Sequence, residues 1–427
     1  MNDRQRKTRL AAALPELRRT HSHIAFCMAA LCLIFVPSFI AFTTIASYDT
    51  ESPPYLALEN RLAAAPKKPS PSSILNGSFQ SSLEESLRDA LPLRSESALA
   101  NAFVQRRCIA ASAFLLHEGI YPTYYGSTYA YDTSSDSIIP FPPIMTSDLR
   151  SSLESGANAL NSIASRHPQI DVYCSTPPHL AYLPSNPLRP LISKVQDNTT
   201  AAEVISGQLE DDVSFVDLDP LIMNETKGSF RTEHHWRTEE AYKAYSGILA
   251  VMQPSAVPVT PHQIVQYEAP FYGSYARLGL CTPAEPDKIS DLLYDESDIS
   301  VCLDGRKGSL EDLRHRALYE NKGWSTDAFT LRYEEYFHWN IGIIELTNLD
   351  TLSEKTLLLV GDSYTNSIER LFAENYKTVY CIDPRYYKES LESFLADRKV
   401  DDLLFLLCPP TLSLENVQRQ ISSSEEA

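Results

Sequence analysis

Glycine is scarce in this chain, with 14 among 427 residues against 28 prolines and 23 tyrosines. That excludes collagen-like repeats and glycine-rich linker architectures. Positive charge is also short: 37 Lys and Arg face 55 Asp and Glu, a net charge of −18. So acidic a chain repels phosphate backbones, which argues against nucleic acid as a partner. Long apolar runs are missing with one exception, and a mean hydropathy of −0.23 excludes a polytopic membrane protein. No internal repeat or heptad run is present, and no Cys/His spacing matches a zinc site, so the reading expects no metal and no other cofactor. What is there, 43% hydrophobic and 22% charged, suffices for a sizeable core and is too apolar for wholesale disorder.

The exception among apolar runs is residues 24–46, IAFCMAALCLIFVPSFIAFTTIA, which carry no charge. At about 1.5 Å per helical residue this spans a hydrocarbon core, and it is longer than the roughly 7–15 residues of a cleaved signal core. Six basic residues (Arg4, Arg6, Lys7, Arg9, Arg18, Arg19) precede it against Asp3 and Glu16. The basic flank therefore predicts a cytoplasmic tail at 1–23, a transmembrane anchor at 24–46 and an exported body, with the lipid bilayer as a partner. Cys27 and Cys32 fall in the span. Cys174, Cys381 and Cys408 sit in apolar strand-like runs where buried thiols are usual, which leaves Cys281 and Cys302 as candidates for a disulfide.

Residues 47–80 are rich in Pro and Ser and read as a stalk, and 81–144 as a helical neck. From 145 to 420 apolar strands alternate with helices. Strands are expected at 169–175, 213–218, 356–361, 377–383 and 401–407, and helices at 148–167, 200–208, 238–252 (capped by Thr238), 364–376 and 386–399. Residues 274–350 read as an irregular insert with some strand. Continuous apolar strands between helices imply βαβ units: one α/β domain with a mostly parallel sheet covered on both faces.

Two segments carry chemistry. Gly361-Asp362-Ser363-Tyr364 lies between an expected strand and its helix, where α/β sheets bind ligands, so the turn presents Ser363 beside free backbone N–H groups. The tripeptide is equally a common tight turn. Thr232-Glu233-His234-His235-Trp236 pairs a carboxylate with histidine in a chain of ten His. In an extended segment Glu233 and His235 share a face, so Glu233 can orient His235 as a base while His234 points away from Ser363. A structural His–Trp cluster would look the same, and a metal site would need a further ligand.

The surroundings then match a family. FRTEHHWRTEEAYKAY (230–245) resembles an Asp-His-His-Trp signature and its following helix, and FYGSYARLGL (271–280) resembles a Phe-x-Gly-Ser block. LLLVGDSYTNSIERLFAENYKTVYCIDPRYY (357–387) resembles a Gly-Asp-Ser-Tyr strand–helix–strand, and LRDALPLRS (87–95) the block after the anchor. The chain thus resembles the DHHW family, related to the SGNH-hydrolase-like domains of the alginate O-acetylation proteins. The resemblance implies a flavodoxin-like three-layer α/β/α sandwich and serine acyl transfer on an exported, cell-surface polysaccharide, with a membrane-bound acyltransferase as partner. It makes Ser363 the nucleophile, His235 the base and Glu233, where the signature has Asp, the acid. Gly273 could offer a second oxyanion N–H, and Asn366, Arg385 and Tyr386 could hold substrate. Transferase and esterase share one acyl-enzyme, and a glycan-binding protein that kept the scaffold without turnover is the alternative.

Overall fold

The computed structural model describes residues 3–47, 53–115, 124–125, 128–132, 135–189, 199–222 and 228–422. It divides into two compact units, residues 1–101 and 102–427. In the first, the helix Asp3–Ala46 contains His23–Ala46, the described segment long and apolar enough to cross a membrane. Phe26, Leu33, Phe35 and Phe39 are exposed along it, an apolar surface that fits a membrane anchor. The expected stalk is partly folded. Strands β1 (Tyr55–Leu56) and β2 (Arg61–Leu62) pair antiparallel, and Ser70 and Ser73 form a capping box on the helix Pro71–Leu75. Arg61 grips the buried Asp89 of the helix Ser78–Asp89 with two bonds of 2.6 Å.

The expected helical neck is helical only as far as the helix Arg94–Leu115. Its later described part is a small antiparallel sheet, β3 (Tyr124–Tyr125), β4 (Tyr129–Asp132) and β5 (Ser137–Pro140). Aromatic residues alternating with small or polar ones favour a pleated surface over a helix.

The main sheet has eight strands. In chain order, β6 is Asp171–Ser175, β7 Val213–Phe215, β8 Gln263–Phe271, β9 Asp287–Leu293, β10 Ile299–Leu303 and β11 Arg306–Gly308. β12 is Ile343–Asn348, β13 Thr356–Gly361, β14 Thr378–Ile382 and β15 Asp402–Leu406. Their order across the sheet is β11-β10-β12-β14-β13-β15-β6-β7, while β8 and β9 form a separate ribbon. From β14 through β7 neighbours run parallel; β10, β11 and β12 join antiparallel. All five expected strands are in this sheet, and the insert extends it through β10, β11 and β12.

β13 is interior, and Leu357 through Gly361 are buried. Leu357 and Leu359 face one core with the helix Thr238–Met252, and Leu358 and Val360 face another with the helices Ser147–Arg166, Ala201–Gln208 and Leu391–Ala396. Each such side chain contributes roughly 2 kcal/mol of burial, and two apolar faces force helices onto both sides, hence an α/β/α sandwich.

Several local expectations change. Thr238 starts its helix rather than capping it, because its hydroxyl donates to Ser290 O at 2.6 Å. The helix expected from 364 opens as a 3-10 turn, Thr365–Ser367, before Glu369–Ala373. There the hydroxyls of Thr365 and Ser367 bond back to the carbonyls of Asp362 and Tyr364, competing with the helical ladder. The helix expected from 386 begins at Leu391, capped by Ser390, so Arg385 and Tyr386 lie in the preceding turn. Cys281 and Cys302 are both free: the first is packed beside Tyr275 and Ile138, the second sits in β10.

Candidate active site

The serine turn is fixed from two sides. A Cβ on Gly361 would lie 3.0 Å from Leu406 O, so glycine is needed where β13 passes β15. Asp362 then accepts the Cys408 N–H at 2.9 Å through Oδ2 and the Tyr364 N–H at 3.3 Å through Oδ1. Asp362 and Tyr364 are buried while Ser363 between them is half-exposed. No hydrogen bond from the Ser363 N–H is formed among the described residues.

The histidine segment is not extended. Ser229 and Trp236 pair across a tight loop with Thr232–His235 at its tip. Buried Asp287 of β9 organises it, accepting the Arg231 N–H at 3.0 Å, the Thr232 N–H at 2.8 Å and the Thr232 hydroxyl at 2.6 Å. Two bonds dock the tip onto the serine turn: Trp236 Nε1–H to Ser367 Oγ at 2.9 Å and Tyr364 O–H to His234 O at 2.6 Å. His235 Nε2 thereby comes to 2.8 Å from Ser363 Oγ.

On its other side His235 Nδ1 is 3.4 Å from Glu233 Oε1 and, though buried, makes no hydrogen bond among the described residues. Glu233 is held instead by the Ser274 N–H at 2.6 Å, the Ser274 hydroxyl at 2.9 Å and the His234 N–H at 2.8 Å. It also pairs with His234 Nδ1. The strand alternation expected here does not hold. The loop bends instead of alternating, and the His234 and His235 rings lie 3.8 Å apart.

These contacts set the charges. Burial alone would raise the Glu233 carboxyl, yet the charge and hydrogen bond of His234, then the nearby His235, hold it well below the usual range. Burial and the charge of His234 push the His235 imidazole down to about 4, against the pull of Glu233. His234 is half-buried, and the Glu233 charge outweighs its desolvation and raises its proton affinity. His235 is thus neutral at neutral pH, as a base must be.

The other expected residues are more scattered. The Gly273 N–H, expected as an oxyanion donor, goes to Thr232 Oγ1 at 2.9 Å. Gly273 provides room instead, since a Cβ there would lie 2.8 Å from Glu233 Cα and closer still to its side chain. Asn366 is buried, gives Nδ2–H to His338 O at 3.3 Å and lines a void of about 10 Å³ with Glu369 and Asp383. Arg385 is paired with Asp383 at 2.7 Å. Exposed Tyr386 lines an open cavity of about 490 Å³ with Arg398 and Asp304.

Sequence reasoning missed three neighbours. Tyr333, from the supposed insert, stacks on His235 and gives its hydroxyl to Ser363 O at 3.1 Å. Next to it, Glu334 has a buried Oε2 without a partner among the described residues. The His179 ring stands 6.1 Å from that of His234, and burial drives it down to about 3, so it is neutral. Only its place directly after the Pro177-Pro178 pair beyond β6 hinted at this.

No family model matches the sequence, and no curated protein matches it. Solved structures do. A DHHW family protein from Eubacterium siraeum overlays with a TM-score of 0.51 at 18% identity, covering 67% of this chain and 91% of that one. This chain has the fold of a DHHW family protein. PatB1 from Bacillus cereus, solved with a sulfonyl adduct, matches at a TM-score of 0.52 and 16% identity over 68% of this chain and 97% of that one. The O-acetyltransferase domain of Pseudomonas putida AlgJ matches at 0.38 and 12%, over 70% and 99%.

Proposed function

We propose that this chain is a membrane-anchored, extracytoplasmic serine acyltransferase or esterase acting on O-acetyl groups of a cell-surface polysaccharide. The observation that carries the reading is the 2.8 Å contact between His235 Nε2 and Ser363 Oγ, with a neutral imidazole and a half-exposed hydroxyl. His235 Nε2 takes the Ser363 proton as Oγ attacks the acetyl carbonyl, and the Ser363 N–H is a donor for the oxyanion. The imidazolium then gives its proton to the departing alcohol, leaving acetyl-Ser363. Water or a sugar hydroxyl, deprotonated by the same Nε2, releases acetic acid or a new ester. Glu233 stabilises the imidazolium by its charge, closing the 3.4 Å gap to Nδ1 once both nitrogens are protonated. Arg385, Tyr386 and Asn366 are proposed to line the approach of the glycan, and a membrane-bound acyltransferase is proposed as acyl donor.

The test uses the full chain in detergent with p-nitrophenyl acetate, an acetylated oligosaccharide, and a sulfonyl fluoride, the last because a protein of this fold carries a sulfonyl adduct. Wild type should turn over and be labelled at Ser363. Ser363→Ala should lose roughly 10⁴-fold or more, and His235→Ala a similar factor, since base and nucleophile act as a unit. Equal activity in wild type and Ser363→Ala would end the mechanism; no activity in either favours the glycan-binding alternative.

A further inference from the structure

The outer end of the span helix is covered on one side. Pro37, Ala41, Thr44 and Ile45 are withdrawn from the surface, Ala41 completely, while Phe39, Ile40 and Phe42 between them are exposed. That spacing, i, i+4, i+7, i+8, is one face of a helix. The helix Ser78–Asp89 packs on the span helix, and its own covered residues, Phe79, Ser82, Leu83, Ser86 and Leu87, follow the same period. A helix lying against Ala41 sits where the membrane is, yet it exposes Glu84, Glu85 and Arg88, which hydrocarbon does not admit. Both facts hold when the outer headgroup layer meets the span at Ala41. Residues 24–41 still cross, since these 18 helical residues reach about 27 Å.

Around that helix the same compact unit turns large apolar side chains outward. Leu75 is 88% exposed, Leu93 69% and Leu62 58%. Leu62 lies on the β1–β2 hairpin, which Arg61 ties to Asp89 of the helix, and Leu75 ends the short helix Pro71–Leu75 that packs beside it. Lys67 and Lys68 are exposed, and the Lys67 N–H donates to Ser82 Oγ at 3.0 Å, which sets the pair against the same helix. Apolar side chains for the acyl boundary beside lysines for the headgroup phosphates make an interfacial membrane surface. We propose that residues 53–93 form a collar seated in the outer leaflet around the span, with Leu62, Ile74 and Leu75 at the acyl boundary. The collar rests on the anchored reading of residues 24–46 and not on the serine chemistry. It makes the Pro- and Ser-rich stretch a fixed base on the lipid surface instead of a free tether.

The experiment reconstitutes the full chain into vesicles of phosphatidylcholine and phosphatidylglycerol and compares Leu75→Trp and Leu62→Trp with wild type. The native tryptophans, Trp236, Trp324 and Trp339, all lie beyond residue 101 and give the reference emission. Both substituted positions are exposed, so neither change disturbs a core. Phosphatidylcholine brominated along its acyl chains should quench the added tryptophan at least about twofold more than the wild-type emission, and the added emission should be blue-shifted. A carbonate wash separates the two readings. Chain that stays in the vesicles while its added tryptophan emits as in water, unquenched, would overturn the collar and leave the anchor standing. Blue-shifted emission that brominated lipid does not quench would give the surface to a protein partner and overturn the collar as well. Chain extracted by the wash would overturn the anchor, and the collar with it.

Discussion

The imidazole of His235 lies flat on the phenol ring of Tyr333, centroids 3.7 Å apart and planes 3° from parallel. The stack fixes the ring plane in which Nε2 meets Ser363, and the Tyr333 hydroxyl holds the serine carbonyl. Tyr333→Phe keeps the stack and should change kcat by less than about threefold, whereas Tyr333→Ala frees the ring and should lower kcat about 10²-fold, with KM little changed. Steady-state kinetics on p-nitrophenyl acetate separates the two. Equal losses in both variants would assign the effect to the hydroxyl rather than to the stack.

Acid should inactivate late. An unperturbed imidazole is half protonated near 6.5, but His235 is pushed down to about 4. Protonation removes the base, so kcat/KM should stay flat as pH falls through 6.5 and drop with a midpoint near 4. A pH–rate profile with its acid midpoint at 6 or above would contradict the burial of this ring.

Gly273→Ala tests the packing behind the acid. Its backbone is extended, with φ −77°, so alanine meets no conformational strain. The new Cβ instead strikes Glu233. Thermal unfolding should show a loss of about 1–3 kcal/mol, and turnover should fall with it as Glu233 shifts from His235. A variant as stable and active as wild type would mean that Glu233 has room to move.

The anchor makes a topological prediction. The basic tail before residue 24 should remain inside and the body outside, so protease added to intact protoplasts should degrade residues 53–422 and spare the amino terminus. A protected body would reverse the orientation.

What could be read from the sequence was local. The apolar run of β13, its Gly-Asp-Ser turn and the Glu-x-His spacing each lie within a few residues, and all five strands followed from their continuous apolar character. The partners that decide the chemistry come from elsewhere in the chain. Asp287 is 55 residues from Thr232, which it anchors, and Ser274 is 41 from Glu233. Asp287 has no pattern of its own, since a carboxylate that shapes a loop looks like any surface acid until the fold places it, and the Phe-x-Gly-Ser block marked Ser274 without saying that it holds Glu233. Tyr333 was hidden because an irregular stretch gives no periodicity from which to infer a stacking partner. The alternation expected at His234 failed for a related reason: it holds for a strand, and Asp287 bends this segment out of one.

Ser363 and His235 are 128 positions apart, and the turn that presents the serine is tied to Cys408, after the last strand of the sheet. A chain emerging amino terminus first exposes the histidine long before the serine, and completes the pair only when its final strand has arrived. A stalled, truncated or partly threaded copy therefore carries an imidazole with nothing to activate. On the proposed chemistry, latency is built into the order of synthesis.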